Sequence, residues 1–386
     1  MKILFVTDQF FDACNGYSIT ARRFRRVLEE HGHEVRVVAV GTKEQTPYPM
    51  KELHIPFFEW MVHSQGMTFA KVDKNLMRQA FEWADVIHFV APFHLSRQGI
   101  RLAREMHKPA TAAFHVQPEN VTFALGKRIG NTKWINDILY WDFRVHFFDQ
   151  FAHIHCPSRF IADQLKKHGY HAKLHVISNG IDPDFTARKN EKPDRWKGKF
   201  VVLMSGRLSN EKRQDILIRA IGRSRHRDQI QLVLAGKGHK EKAYRRLAKK
   251  LLPIEPEMQF YTKEDLLNVI GAADLYVHAS DAEIEAMSCM EAFACGRVPV
   301  IADSANSATP QFALDVRSLF RTDDPADLAR KIDYWIEHED ERLKMEKEYA
   351  ELGKKYALED CVRQAEAMFE EEIARCKEGC GHAENQ

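Results

Sequence analysis

At 386 residues, with 44% hydrophobic and 29% charged positions, the chain has material for two folded cores and lacks the composition of a disordered one. A formal net charge of +2 gives no reason at whole-chain level to expect nucleic acid as a partner. Seven scattered cysteines, an odd number, predict reduced thiols in a cytoplasmic protein. Cys376, Cys380 and His382 near the end lack a fourth ligand, so a frayed polar terminus is the reading preferred there over a metal site.

The opening apolar run stops at Asp8, too short for a secretory signal, and no segment is apolar enough to span a bilayer. Ile3-Leu4-Phe5-Val6 predicts a buried strand, followed by a helix from Ser18 to His31 that stops at Gly32. Further strands are expected at Val35 to Val40, Val86 to Val90, Ala110 to Phe114 and His153 to Cys156. Ser158 caps a helix from Arg159 to Lys167. The same rhythm then restarts. Strands at Phe200 to Ser205, Gln231 to Ala235, Leu275 to His278 and Val298 to Ile301 alternate with helices at Gln214 to Gly222, Lys240 to Leu251 and Met287 to Ala294. Alternation of this kind implies an α/β fold of two doubly wound parallel-sheet domains. The breakers in Ile177–Pro183 place the junction, giving domains 1–178 and 179–386. Two amphipathic helices, Pro325 to His338 and Glu359 to Arg375, close the chain.

Ligands of open parallel sheets sit at the carboxyl ends of the strands, so chemistry is sought in the loops there. After Leu275 to His278 comes Glu283-Ile284-Glu285-Ala286-Met287-Ser288-Cys289-Met290-Glu291. The first backbone N–H groups of the following helix, at Ala286, Met287 and Ser288, suit a phosphate, and carboxylates on either side suit sugar hydroxyls. The plainer reading, a capping acid and a solvated glutamate, fails for Glu291 because its neighbours are apolar. After Phe200 to Met204 comes Ser205-Gly206-Arg207-Leu208-Ser209-Asn210-Glu211-Lys212, whose Arg207 and Lys212 could converge on a diphosphate. Taken alone, that loop is better read as a solvated basic one. Gly16, His115, and the pair Phe260 and Tyr261 also follow strands, each with a structural reading in competition. The absence of a complete G-x-G-x-x-G weakens a nicotinamide or flavin enzyme.

Together these strings resemble the family 4 retaining glycosyltransferases of the GT-B fold over nearly the whole chain. The resemblance implies two Rossmann-like domains facing a central cleft, with the last helix crossing back to the first domain. It implies that Glu283 contacts the donor sugar, Glu291 the ribose, and Arg207 and Lys212 the leaving UDP. Gly16, Ser205, Gly206, Ala286, Met287 and Ser288 then line the donor phosphates, Phe260 and Tyr261 the base, and His115 the reacting centre. No metal or cofactor is required. Family members often carry Gly and Phe after the first glutamate, where this chain has Ile284-Glu285-Ala286.

FHVQPEN, HIHCPSRFIA, VISNGID, EIEAMSCMEA and SATPQFAL further resemble bacterial diacylglycerol 3-alpha-glucosyltransferases. That resemblance implies a UDP-sugar donor, a lipid acceptor and an α-linked glycolipid. It also implies peripheral attachment to an anionic membrane on the cytoplasmic side. Gln117, Glu119 and Asn120 are candidate acceptor contacts. The segment Leu125 to Phe151 interleaves Lys127, Arg128 and Lys133 with Trp134 and Trp141, as a bilayer surface would favour, and a core helix is its alternative. Phe57, Phe58, Trp60 and Met61 make a second aromatic stretch. Ceramide, another glycolipid or a soluble sugar are alternative acceptors. A nucleotide-sugar epimerase or hydrolase and a non-catalytic sugar-binding module are alternatives of other classes.

Overall fold

The computed structural model describes residues 1–11, 15–54, 68–124 and 132–383. Lys127, Arg128 and the aromatic stretch Phe57, Phe58, Trp60 and Met61 lie outside them. The chain divides into two compact units. The first holds Met1–Val121, Thr132–Gly180 and Leu358–Gln386, the second Thr122–Asn131 and Ile181–Ala357.

In the first unit the strands are β1 (Lys2–Val6), β2 (Glu34–Val40), β3 (Tyr48–Glu52), β4 (Ala70–Lys71), β5 (Val86–Phe89), β6 (Ala110–Ala113), β7 (His153–Cys156) and β8 (Lys173–Val176). They form one sheet in the order β4-β3-β2-β1-β5-β6-β7-β8. All neighbours are parallel except β3 and β4. β1 lies centrally, with Ile3 opposite both Val35 and Val86. That position explains its unbroken apolar run, because a central parallel strand is covered on both faces. The edge strands β4 and β8, and β3 beside β4, carry no such run; β8 reads Lys-Leu-His-Val.

Helix Gly16–Glu30 is capped by the Asn15 side chain, which accepts from the Ser18 amide at 3.0 Å. Its Phe24, Val27 and Leu28 pack on β1 and β2. The final helix, Leu358–Ala383, joins the same core through Leu358, Val362, Ala365, Met368 and Phe369. His31 extends that contact into polar ground, with ring nitrogens 2.6 Å from both Glu359 and Glu366.

The second unit contains β9 (Phe200–Ser205), β10 (Ile230–Ala235), β11 (Glu257–Gln259), β12 (Leu275–His278), β13 (Ala282–Glu283), β14 (Pro299–Asp303), β15 (Asn306–Ser307) and β16 (Leu319–Arg321). Six of these form a parallel sheet in the order β11-β10-β9-β12-β14-β16. β13 and β15 pair separately, setting Glu283 opposite Ser307. Two parallel-sheet α/β units are thus present, as expected of the GT-B class.

Candidate functional site

The loops after β9 and β12 meet in the second unit. Gly206 leaves β9 at φ +143, and the Lys212 stem passes 3.7 Å from where its Cβ would stand. The loop is then stacked on a neighbour. A Cβ on Gly236 would lie 2.0 Å from the Gly206 carbonyl oxygen, and one on Gly238 2.2 Å from that of Leu208. The Gly236-Lys237-Gly238 fragment therefore serves a close backbone approach that no side chain permits.

Lys212 Nζ donates to Glu283 Oε1. His278, the last residue of β12, places Nε2 3.1 Å from the same oxygen. Burial alone would raise the Glu283 carboxyl, but the Lys212 charge and the His278 hydrogen bond override it, holding the group well below the ordinary carboxylate range. Burial also lowers the His278 pKa, against the pull of Glu283. A neutral ring that donates from Nε2 leaves Nδ1 as acceptor, and the Tyr276 hydroxyl lies 3.4 Å from it. Glu283 is thus an ionised, acceptor-only group held from two sides.

Arg207 is paired too, its Nη2 3.1 Å from Glu211 Oε1, which also accepts from Ser209 Oγ at 2.5 Å. Arg213, which the sequence reading did not single out, ties the two loops together. Its buried guanidinium donates to both Asp281 oxygens, at 3.2 and 2.9 Å, while the Asp281 amide donates to the Glu211 carbonyl at 2.9 Å. Its backbone stands in the left-handed region at φ +56, immediately before helix Gln214–Ile221.

Helix Met287–Ala294 opens beyond Ala286, which stands in the left-handed region at φ +69. Tyr276 OH lies 3.1 Å from Ser288 Oγ, at the first turn. Glu291 is buried on this helix. Phe260, beyond β11, is 56% exposed with Lys237 Nζ 5.2 Å above its ring. Tyr261 instead turns to structure, donating to Glu257 Oε1 at 2.5 Å. The structure brings together Ser205, Gly206, Lys212 and Glu283. Arg207 sits on the same loop and is directed to Glu211.

In the first unit, Gly16 begins helix Gly16–Glu30, and His115 follows β6. The His115 ring stands edge-on to His155 at 5.1 Å, and its buried Nδ1 has no partner among the described residues. His88, His115 and His155 all have lowered pKa values, chiefly by burial and then by their mutual charges for His88 and His115. Gln117 and Glu119 are buried; Glu119 accepts from the Tyr140 hydroxyl at 3.2 Å, and burial raises its pKa. Asn120 donates its amide to the Gln117 carbonyl at 3.0 Å. A group missed in the sequence is Asp8, at the carboxyl end of β1. It accepts from the Ala70 amide at 2.9 Å, and burial pushes its pKa up to about 7. In the sequence it marks only where the opening apolar run stops.

Helix Lys133–His146 divides the aromatic segment. Tyr140 and Phe143 are buried, with Phe147 and Phe148 just beyond. The core-helix reading therefore holds for that face. Trp134, Ile138, Trp141 and Val145 are 64, 53, 52 and 40% exposed. Their spacing of four, three and four residues places them on one stripe. Lys133 is exposed beside them.

The two parallel-sheet α/β units are those of the GT-B class. Residues 14–185 match the model of Glycosyltransferase Family 4 and residues 186–352 that of Glycosyl transferases group 1. The chain belongs to this glycosyltransferase family. An alpha-monoglucosyldiacylglycerol synthase of Streptococcus pneumoniae is 25% identical over 78% of this chain and 71% of its own. A GDP-mannose-dependent alpha-mannosyltransferase of Corynebacterium glutamicum is 26% identical over 79% of this chain and 73% of its own. Among solved structures, Anabaena HepE in complex with UDP is 17% identical, with a TM-score of 0.70 over 96% of this chain and all of that one. The catalytic domain of a Helicobacter pylori cholesterol-alpha-glucosyltransferase is 46% identical over 41% of this chain and 99% of that one, at a TM-score of 0.40.

Proposed function

We propose that the protein transfers a hexose, glucose or galactose, from a UDP-sugar to the hydroxyl of a membrane lipid, with diacylglycerol as the first acceptor and an α linkage as the product. The observation that carries the lipid acceptor is the exposed stripe Trp134-Ile138-Trp141-Val145 on a helix whose other face is core. Large apolar side chains in a contiguous exposed row mark a membrane or partner surface, and tryptophan favours the headgroup level. Lys133 supplies charge beside it. Among the described residues no helix is long and apolar enough to cross a membrane, which fits peripheral attachment. The Streptococcus relative, by its name, makes a glucosylated diacylglycerol.

On the donor side, Lys212 and Arg207 exchange their carboxylate partners for the diphosphate, and Glu283 turns its lone pairs to sugar hydroxyls. Glu291 holds the ribose. Cations at the leaving group stabilise the charge that develops there, so the reaction needs no metal. Retention follows if the acceptor attacks on the face from which UDP departs, the leaving phosphate oxygen taking the acceptor proton. No covalent nucleophile is assigned. His115, neutral and buried with an open Nδ1, accepts from or donates to a hydroxyl of either substrate.

The Corynebacterium relative supports a second reading of the donor, GDP-mannose. The test is a matrix of UDP-glucose, UDP-galactose and GDP-mannose against diacylglycerol, ceramide and a soluble sugar in mixed micelles, with product mass and linkage determined. Vesicle co-sedimentation of Trp134→Ser/Trp141→Ser accompanies it. The expected outcome is an α-hexosyl lipid from a UDP-sugar, and salt-resistant vesicle binding that falls in the double variant. Efficient glycosylation of only the soluble sugar, with no vesicle binding, refutes the lipid reading. Sugar release or epimerisation without acceptor refutes transfer.

A further inference from the structure

We propose that the first unit carries a transition-metal site, Zn²⁺ in the first place, formed by His153 of β7, His175 of β8 and Glu371 of the final helix. The ligand atoms of these three side chains all lie within 4.8 Å of one another. His153 Nδ1 and His175 Nε2 are 2.8 Å apart. Two imidazole nitrogens at that distance share one proton. A metal can take its place, with both rings giving lone pairs. Two nitrogens bound at ~2.05 Å around a tetrahedral ion stand about 3.3 Å apart, so the rings need to open by about half an ångström.

The protonation chemistry is favourable. Glu372 Oε2 lies 3.7 Å from His153 Nε2, which biases the ring proton to that nitrogen and leaves Nδ1 as the electron-pair donor. His175 then carries its proton on Nε2. On metal binding that proton moves to Nδ1 through solvent, and the net charge of the pair is unchanged. Burial lowers the pKa of both rings, against the upward pull of Glu371 on each and of Glu372 on His153, so the neutral form is favoured near pH 7. Glu371 is now held by Lys173 Nζ at 2.6 and 2.8 Å. It must turn one oxygen from that exposed lysine to the ion, trading a surface pair worth little for a metal bond.

Two nitrogens and one carboxylate oxygen are a borderline donor set that suits Zn²⁺ and Co²⁺ rather than Mg²⁺ or Ca²⁺. His175 lies on the edge strand β8 and His153 on its neighbour β7, and the third ligand lies on the helix that follows the whole second unit in sequence. The ion would therefore clip the final helix to the first sheet, with ligands that all belong to the first unit and none to the donor loops. The inference does not depend on the proposed acceptor.

The test uses the full chain with Cys376→Ser/Cys380→Ser, which removes the tail thiols as competing ligands, and titrates it with Zn²⁺ and with Co²⁺ alone. Expected are one equivalent of Zn²⁺ bound at micromolar or lower concentration, a rise in unfolding temperature, and the intense visible absorption of Co²⁺ in a low-coordinate N/O site. His175→Gln and Glu371→Gln, both at partly exposed positions that tolerate substitution, should each weaken binding at least about 10-fold, as loss of even outer-shell partners does. They should also abolish the thermal shift. Binding of equal strength in both variants, or no binding of either ion by the background protein, overturns the site.

Discussion

Lys212 pairs with Glu283, and that pairing has consequences for both stability and binding. Replacing Lys212 by Met keeps most of the stem that passes over Gly206 and removes the charge. Glu283 is then left with His278 as its close partner, with a side chain only 10% exposed. Removing one member of a buried pair costs about 3–5 kcal/mol. Because the Lys212 side chain is itself 19% exposed, the lower end, about 3 kcal/mol, is expected. Glu283→Gln leaves an amide that still accepts from His278 and a cation that can reach solvent, so it should cost less. In the double variant both costs should be partly recovered, giving a coupling of about 1–3 kcal/mol. Urea unfolding followed by tryptophan fluorescence reads this, because Trp196 and Trp335 are buried in the second unit. The measurement belongs at pH 7. Glu283 has a depressed pKa, so its contribution is present above the unfolded value of 4.5 and is lost only as pH falls through the depressed one.

The same variants separate the roles proposed for the two residues. A diphosphate must win Lys212 from Glu283. Lys212→Met should weaken UDP binding by one charge-assisted contact, about 1.5–3 kcal/mol, or roughly 10- to 100-fold by calorimetry. Glu283→Gln releases the cation, so UDP affinity should hold or rise while turnover falls. The reasoning is refuted if Lys212→Met costs under about 1 kcal/mol and leaves UDP affinity intact, or if Glu283→Gln weakens UDP as much as Lys212→Met does.

Asp8 has a folded pKa raised from 3.8 to about 7, so its burial costs stability increasingly as pH rises between those values; Asp8→Asn should stabilise the first unit by up to about 4 kcal/mol above pH 7 and by almost nothing near pH 4, as urea titrations at the two pH values will show. His88 and His155, lowered to about 3 and about 4, charge in the unfolded chain first, so each should remove about 2 kcal/mol of stability between pH 7.5 and 5; a flat stability profile over that range in a Asp8→Asn background counts against their burial as neutral rings. Ala286→Gly relieves a left-handed Cβ worth about 1–2 kcal/mol against about 0.4–1 kcal/mol of unfolded-state entropy, so a net gain of roughly 0.5–1 kcal/mol is expected, and a clear loss would show that its buried methyl matters more than its φ.

The parts of this molecule legible in the sequence are those in which one strong physical requirement acts on consecutive residues. β1, β9, β10, β12 and β14 are mostly buried on both faces and announce themselves as largely apolar runs. β3, β4, β8, β11 and β16 are two to five residues long and sit at or beside sheet edges, where half-exposed Lys, His and Glu blur the pattern. The acid and cation positions were readable because Glu283, Glu291, Arg207 and Lys212 follow strands. Their partners were not. His278 is an ordinary strand residue in sequence, and Arg213 and Asp281 find each other across 68 positions. Trp134 and Phe143 look alike in a list of aromatics. Only the register of helix Lys133–His146 sends one to solvent and the other to the core. The terminal helix shows an apolar face in sequence without showing what that face covers.

The two units treat buried polarity in opposite ways, and the contrast bears on the chemistry proposed. In the second unit charge is kept and paired: Lys212 with Glu283, Arg207 with Glu211, Arg213 with Asp281. Such pairs can be exchanged for a diphosphate without leaving a buried charge bare, because each carboxylate has another donor at hand: His278 for Glu283, Ser209 for Glu211. In the first unit burial neutralises the ionisable groups near β1 and β6. Three histidines are pushed toward their uncharged forms, and Asp8 and Glu119 toward protonation. A neutral His115 can orient a hydroxyl but carries no charge of its own. If the leaving group is to collect the acceptor proton, its negative charge should be balanced at its own end. The burial that keeps His115 neutral, alongside His88 and His155, leaves the first unit with hydrogen-bonding rings there instead of cations, whereas the second keeps its charges in pairs.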